Sequence, residues 1–404
     1  MWEQIRSNQV RSVILLALIA GILLALGYFL GFYFFDSPIA GLVIALVLWA
    51  IMSLIAYYQG DSILLGMAGA KKVGPNDAPR LYNVVEEMKI ASGLEKVPDV
   101  YVIDDPALNA FATGRDPNKA SVAITTGLLQ KLNRDELQGV IGHEISHIKN
   151  RDVLLMAIVS VMLGTIVILS WYASRFLIFG GMAGGRRSSS RDGGGGAQAI
   201  ILVVGLVLMI LAPILAQFIY YAISRKREYL ADASSALYTR YPEGLASALE
   251  KIGGSTHQLK SANQATAPMY IANPLNKEGV KLSDLTSTHP PISERVRILR
   301  AMAGGASFVD YDDAYRKIRG GGGVISKATA SSIGAVGIRQ ASPSVPGEMA
   351  LTEKAARSRE VSDMMLRLNQ YRIVDCPCGA RWKIPPGFKE DTITCTRCGR
   401  TIRL

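Results

Sequence analysis

The chain has 404 residues and a formal charge of +11, and its apolar residues gather into four long runs. This length accommodates a membrane region plus one or two soluble units, and the basic excess reads as loops beside anionic lipid. No basic run is interleaved with aromatics, which argues against a nucleic-acid groove, and all four cysteines lie between Cys376 and Cys398, which excludes a disulfide framework elsewhere and suits a reducing compartment.

Residues 13–35 form the first apolar run, behind Arg6 and Arg11. The run is too long for a signal peptide and long enough to span, roughly 20 residues being needed. Asp36-Ser37-Pro38 is a turn sequence, and a second run at 39–58 ends on Tyr57 and Tyr58, suited to the bilayer interface. The two runs predict a tight transmembrane hairpin. The stretch 61–152 is soluble in character. Asp77 is expected to cap a helix carrying Leu81, Val84, Val85 and Met88 on one face. Residues 100–103 and 121–125 predict short strands. Asn133-Arg134-Asp135-Glu136 is a variant capping box that opens a helix through Leu137, Val140 and Ile141 to His147.

A third apolar run at 153–179 and a fourth at 199–223 predict two further spans, joined by a Gly- and Ser-rich loop at 180–197. Helical patterns resume after Ser224 and at 293–302. Residues 303–346 read largely as linker, a helical stretch follows near 353–368, and no internal repeat is visible. The expected units are a hairpin (1–60), the first part of a peptidase domain (61–152), a second hairpin (153–224), its remaining part (225–304), a linker with a helical stretch (305–370) and a cysteine module (371–404). The fold class is mainly α, with four transmembrane helices and a cytoplasmic α+β domain. Basic residues place the N-terminus and the segment from Lys71 onward in the cytoplasm. The 180–197 loop would then lie outside despite Arg186, Arg187 and Arg191, so it is either an exception or the third and fourth spans do not fully cross.

His143-Glu144-Ile145-Ser146-His147 is an H-E-x-x-H motif. Positions i and i+4 share one helix face, so both imidazoles can bind one Zn²⁺, and Glu144 can take a proton from zinc-bound water. A chance match on a polar helix face is the competing reading; helical context and only four histidines in the chain weigh against it. A catalytic zinc needs a third protein ligand. Glu228 is the candidate, because an antiparallel hairpin of spans three and four would return it to the membrane face where His147 emerges, at similar height. Asp232, one turn on, can accept the second ring N–H of a ligating histidine. The alternative is an ordinary charge cluster, Arg225-Lys226-Arg227-Glu228, at a membrane boundary.

Together with Asn109-Ala110-Phe111-Ala112-Thr113-Gly114, Glu228-Tyr229-Leu230-Ala231-Asp232, and His289-Pro290-Pro291 followed by Glu294-Arg295, these residues make the chain resemble the HtpX-type membrane zinc metalloproteases. That group of gluzincins is related to the type I CaaX prenyl proteases. The resemblance covers roughly residues 1–302. It implies a zincin-like domain with His143, His147 and Glu228 as zinc ligands, Glu144 as general base and Asp232 as acceptor behind a histidine. It further implies that His289 stabilises the oxyanion, that Arg295 anchors the constellation through a carboxylate, and that Asn109 binds substrate main chain beside an edge strand. From the residues alone, His289 reads as a turn residue and Asn109 as a turn cap. The implied activity is a zinc endopeptidase of the cell membrane, with its active site on the cytoplasmic face. Its substrates would be misfolded or membrane proteins, with a role in membrane-protein quality control and no small-molecule cofactor. A CaaX-type processing role fits less well, since that branch has more spans than four. A non-enzymatic scaffold with structural zinc would need a fourth ligand near Glu228, and a zinc transporter would need the motif inside a span.

Cys376, Cys378, Cys395 and Cys398 form a C-x-C and a C-x-x-C pair, each followed by Gly. They read as a four-thiolate structural zinc ribbon, the second zinc of the chain, against the alternatives of a redox pair or a metal-free tail. The resemblance does not explain this module.

Overall fold

The computed structural model describes residues 2–153, 225–262, 267–274, 289–302, 304–326, 329–330, 334–343 and 347–404, with a few isolated positions between 166 and 214. The expected third and fourth spans and the loop joining them lie outside these described residues, isolated positions apart.

Helices α1 (Trp2–Phe35) and α2 (Pro38–Met67) pack as a hairpin. Asp36 turns the chain with φ of 51°, Ser37 caps α2 by accepting from Ala40 N at 3.3 Å, and Pro38 enters the first turn, where its missing N–H costs nothing. The close approach has a steric basis: a Cβ on Gly41 would overlap the backbone of Gly27 and Gly31, so a small-residue seam brings the helices together. Ile39, Val43, Val47 and Leu54 project outward, uncovered by protein. Among the described helices α2 is long and apolar enough to cross a membrane. It continues past Tyr58 to Met67, beyond the run of apolar residues.

The soluble part is built on a four-stranded sheet of β1 (Ala70–Lys72), β2 (Asp99–Ile103), β3 (Ala110–Gly114) and β4 (Ala120–Thr125), in the order β1-β2-β4-β3. β2 and β4 run parallel, with Tyr101 opposite Ala123, and the other pairings are antiparallel. The sequence predicts β2 and β4. β1 is three residues long, and β3 is made largely of Ala, Thr and Gly, so neither carries the β-branched alternation that marks a strand. α3 (Pro79–Ser92) buries Leu81, Val84, Val85 and Met88 as expected, but Asp77 does not cap it. The N-cap is Ala78, without a side-chain bond, and Asp77 instead accepts from Gly74 N at 2.9 Å. The turn closes one residue early because Pro79 already occupies the first helical position.

After α4 (Thr126–Lys131), α5 (Arg134–Lys149) starts at the expected capping box: Glu136 N donates to Asn133 Oδ1 at 2.9 Å and Asn133 N to Glu136 Oε2 at 2.8 Å. α6 (residues 225–239) and α7 (Pro242–Gly253) pack on α5. A Cβ on Gly139 would strike the backbone of Gly244 and Leu245, and Ser235 Oγ donates to Gly139 O at 2.6 Å. α8 (Ile292–Arg300) closes the layer.

The stretch read as linker is partly structured. α9 (Phe308–Arg319) begins at a Ser307/Asp310 capping box and buries Phe308 and Tyr311. Residues 334–343 then strap back across the domain, with Ala306 N on Val336 O at 2.8 Å and Arg339 N on Arg240 O at 2.9 Å. Glycine-rich flanks hide α9 from a periodicity argument, and the strap is held by side chains remote in sequence. α10 (Gly347–Leu368) contributes Val361 and Met364 to the main core. Two hairpins end the chain, β5 (Arg372–Asp375) with β6 (Arg381–Ile384), and β7 (Thr392–Thr394) with β8 (Thr401–Arg403).

Candidate functional site

One turn of α5 separates His143 from His147, and their rings meet edge to face with Nε2 atoms 3.3 Å apart. α6 brings Glu228 to both: Oε2 lies 3.4 Å from His143 Nε2 and Oε1 lies 3.3 Å from His147 Nε2. Ligands at the corners of a tetrahedron with Zn–N and Zn–O bonds of 2.0–2.1 Å are separated by roughly 3.3 Å. The three groups therefore fit one zinc ion. They form a three-membered metal-capable group among the described residues, which leaves one position for water.

Each imidazole is held from behind by a carboxylate. His143 Nδ1 lies 3.0 Å from Asp232 Oδ1, and His147 Nδ1 lies 3.3 Å from Asp152 Oδ2. Arg295, fully buried on α8, grips Asp232 through two bonds and donates from Nη1 to Ile271 O at 3.1 Å. Sequence reasoning missed Asp152. α5 stops at Lys149, and Arg151 takes φ of 59°, which turns Asp152 back under His147. Arg227 Nε lies 3.5 Å from the far oxygen of Asp152, so the charge cluster beside Glu228 has a place in the site. Asn-Arg-Asp directly after the helix was the available signal, but its spacing from His147 matches no helical repeat.

Glu144 is buried beside the histidines, and its Oε1 has no hydrogen-bond partner. His289 Nδ1 stands 2.9 Å from Glu228 Oε2. Asn109, at the start of β3, spends its amide on the protein's own backbone: Nδ2 donates to Ala272 O at 3.0 Å, and Oδ1 accepts from Ala110 N at 3.1 Å. A cleft of about 430 Å³ runs from Leu108 and Asn109 past His257 to His289. The structure thus gathers His143, Glu144, His147, Glu228, Asp232, His289 and Arg295, and sets Asn109 on the adjoining cleft.

Electrostatics follow from burying these groups together. Burial pushes the Glu144 carboxyl up, against the pull of both imidazoles. Burial also opposes ionisation of Glu228, yet His289 and the hydrogen bonds of His143 and His147 hold its carboxyl well below the usual range. For Asp232, Arg295 and His143 outweigh burial and lower it. Burial would lower both imidazoles, but the hydrogen bonds of Asp232 and Glu228 raise His143, and those of Asp152 and Glu228 push His147 up to about 10. The cavity is built for positive charge, and a bound cation would take the place of protons.

The cysteines also converge. Cys376 and Cys398 Sγ are 3.6 Å apart, Cys378 and Cys376 3.4 Å, and Cys378 and Cys395 3.6 Å. Four thiolates around one zinc at about 2.3 Å stand roughly 3.8 Å apart, whereas a disulfide requires about 2.0 Å. Gly379 and Gly399, both at positive φ, turn the chain behind each pair.

Residues 75–303 match the model of peptidase family M48. The chain is 45% identical to a "Protease HtpX homolog" of Caldanaerobacter subterraneus subsp. tengcongensis over 302 residues, which is 75% of this chain and 98% of that protein. Identity is 45% to the Dictyoglomus turgidum protein of the same name, covering 74% and 94%, and 41% to that of Streptococcus gordonii, covering 75% and 100%. Among solved structures, Ste24p of S. mikatae matches with a TM-score of 0.42 and 22% identity over 74% of this chain and 67% of that one. The family match stops short of α9, α10 and the cysteines.

Proposed function

This chain belongs to peptidase family M48, a membrane zinc-dependent protease, and on that premise we propose that it is an endopeptidase whose catalytic zinc is held by His143, His147 and Glu228. The observation that carries this reading is that the two Nε2 atoms lie 3.3 Å apart and each lies 3.3–3.4 Å from one oxygen of the Glu228 carboxylate. Zinc, when bound, supplies a Lewis acid and brings a bound water's pKa toward about 7. Glu144 takes the proton of the attacking water and returns it to the leaving amide nitrogen. Its raised carboxyl suits both halves of that transfer. Asp232 and Asp152 orient the two imidazoles, and Arg295 fixes Asp232. His289, beside the cleft, is a donor for the oxyanion. Asn109 ties residue 110 to residue 272, beside the bond from Ile271 N to Ala110 O, and so shapes the cleft wall that faces substrate.

The substrates are proteins, and the closeness of the sheet to α2 favours misfolded or membrane proteins in quality control. Arg6 and Arg11 at the start of α1, ahead of its apolar run, and Lys71 and Lys72 after α2 support a cytoplasmic active site on a multi-pass chain of four spans. A second zinc would sit among the four cysteines. Glu144→Gln tests the mechanism: the purified variant should keep its zinc while casein hydrolysis falls by about 10²–10⁴-fold. Cleavage at the wild-type rate would remove Glu144 from the reaction.

A further inference from the structure

Away from the metal centre, a cleft of about 490 Å³ opens between the C-terminal end of α2 and the ends of β2 and β4. Asp61 and Ser62 line it from α2, Lys96 and Asp99 from the entry to β2, and Lys119 and Ser121 from the entry to β4. Its depth relative to the bilayer follows from Tyr57 and Tyr58. Both are exposed on α2 where the apolar run ends, the level at which tyrosines sit in a membrane. The Arg115 guanidinium, on the β3–β4 turn, stands 5.9 and 5.6 Å from their ring centres and clamps the soluble domain to that level. At 1.5 Å per residue, Asp61 and Ser62 lie about 6 Å further along the axis. The polar headgroup layer is itself about 5–8 Å thick on each side. The mouth of the cleft is therefore at headgroup depth.

Its charges define the ligand. Lys72 takes Asp99 at 2.8 Å and cancels it. Lys96 and Lys119 are exposed, and neither has an ion pair among the described residues. Against these two cations stands one carboxylate, Asp61, which leaves a single positive charge, with the Ser62 and Ser121 hydroxyls as neutral hydrogen-bonding groups. We propose that this cleft seats the phosphodiester of an anionic glycerophospholipid, with Lys96 and Lys119 on the phosphate oxygens. One phosphodiester carries one negative charge and balances the cleft. The headgroup depth selects lipid over a soluble phosphate. The bound headgroup would join α2 to the sheet and set the height of the metal centre above the bilayer. This rests on α2 crossing the membrane, which alkaline carbonate washing tests separately. A chain released from membranes by carbonate would overturn that reading, whereas a retained chain that ignores the lipid would overturn this one alone.

The test titrates the purified full-length chain in detergent with phosphatidylglycerol or phosphatidylcholine and counts bound lipids by native mass spectrometry. Wild type should hold one phosphatidylglycerol in preference to phosphatidylcholine. Each of Lys96→Ala and Lys119→Ala should weaken it roughly fivefold, and the pair about 25-fold. Lys354→Ala with Lys389→Ala, which removes the same charge from α10 and the cysteine module, should leave it unchanged. Equal losses in both double variants, or none in either, would overturn the site. Soluble glycerophosphate should not compete; displacement of the lipid by it at comparable concentration would overturn the lipid assignment in favour of a free phosphate. Casein cleavage in detergent should persist in every variant, which separates loss of lipid from loss of fold.

Discussion

Arg295 and Asp232 form a two-bond pair sealed inside the protein, with Nε on Oδ2 at 2.8 Å and Nη2 on Oδ1 at 2.6 Å, and neither residue reaches solvent. Asp232 in turn faces His143 Nδ1, so the pair fixes a candidate zinc ligand through its far nitrogen. A planar guanidinium satisfies both carboxylate oxygens at once, and lysine cannot. Arg295→Lys is therefore expected to weaken zinc binding by about 10–100-fold, the usual cost of losing a partner behind a ligand. Competition with a chromogenic chelator measures this, and unchanged affinity would reduce Arg295 to a packing residue.

Asp152 is expected to act in the same way on His147, from the other side of the site. Asp152→Asn keeps the shape but removes the charge that His147 Nδ1 faces at 3.3 Å. Zinc affinity should fall by about 10-fold or more while the circular dichroism spectrum stays that of wild type. A full complement of zinc under chelator challenge would mean that His147 is oriented by α5 alone.

The strap across the start of α5 predicts a pH-dependent stability. Asp135 is buried; burial would raise its carboxyl, but Arg339 and Ser342 outweigh this and hold it below the ordinary value. A depressed carboxyl stabilises the fold above its unfolded value, near 3.9, and that contribution fades as pH falls through the folded value. Asp135→Asn should thus lower the melting temperature at pH 6, by a margin that narrows as pH falls from 4 toward 3. A gap of constant size across this range would show that the strap contributes nothing through this charge.

Truncation separates the two parts of the C-terminal region. Removing residues 371–404 should take one zinc per chain and leave the peptidase core intact. Removing residues 347–404 also strips Val361 and Met364 from the core and should destabilise by about 2–5 kcal/mol in total. Metal analysis and denaturant unfolding read the two effects. Equal stability of both truncations would mean that α10 only rests on the surface.

Much of the site was legible in the sequence because its pieces are local. The H-E-x-x-H spacing places both imidazoles on one face, the Asn133 capping box starts that helix, and the paired cysteines announce a metal knot. Leu81, Val84, Val85 and Met88 declare a buried face by helical repeat alone. What the sequence could not declare is contact between segments without a shared period. Asp152 reaches His147 only because Arg151 reverses the chain, and Asn109 turns to residue 272 only once β3 has a neighbour. The Phe308 and Tyr311 side chains find a core from within a Gly-rich stretch, and Asp135 meets Arg339 two hundred residues on. A repeat along one element is fixed by its own backbone geometry and can be read locally. A carboxylate's partner is set by where the folded chain returns, and only the tertiary structure decides that.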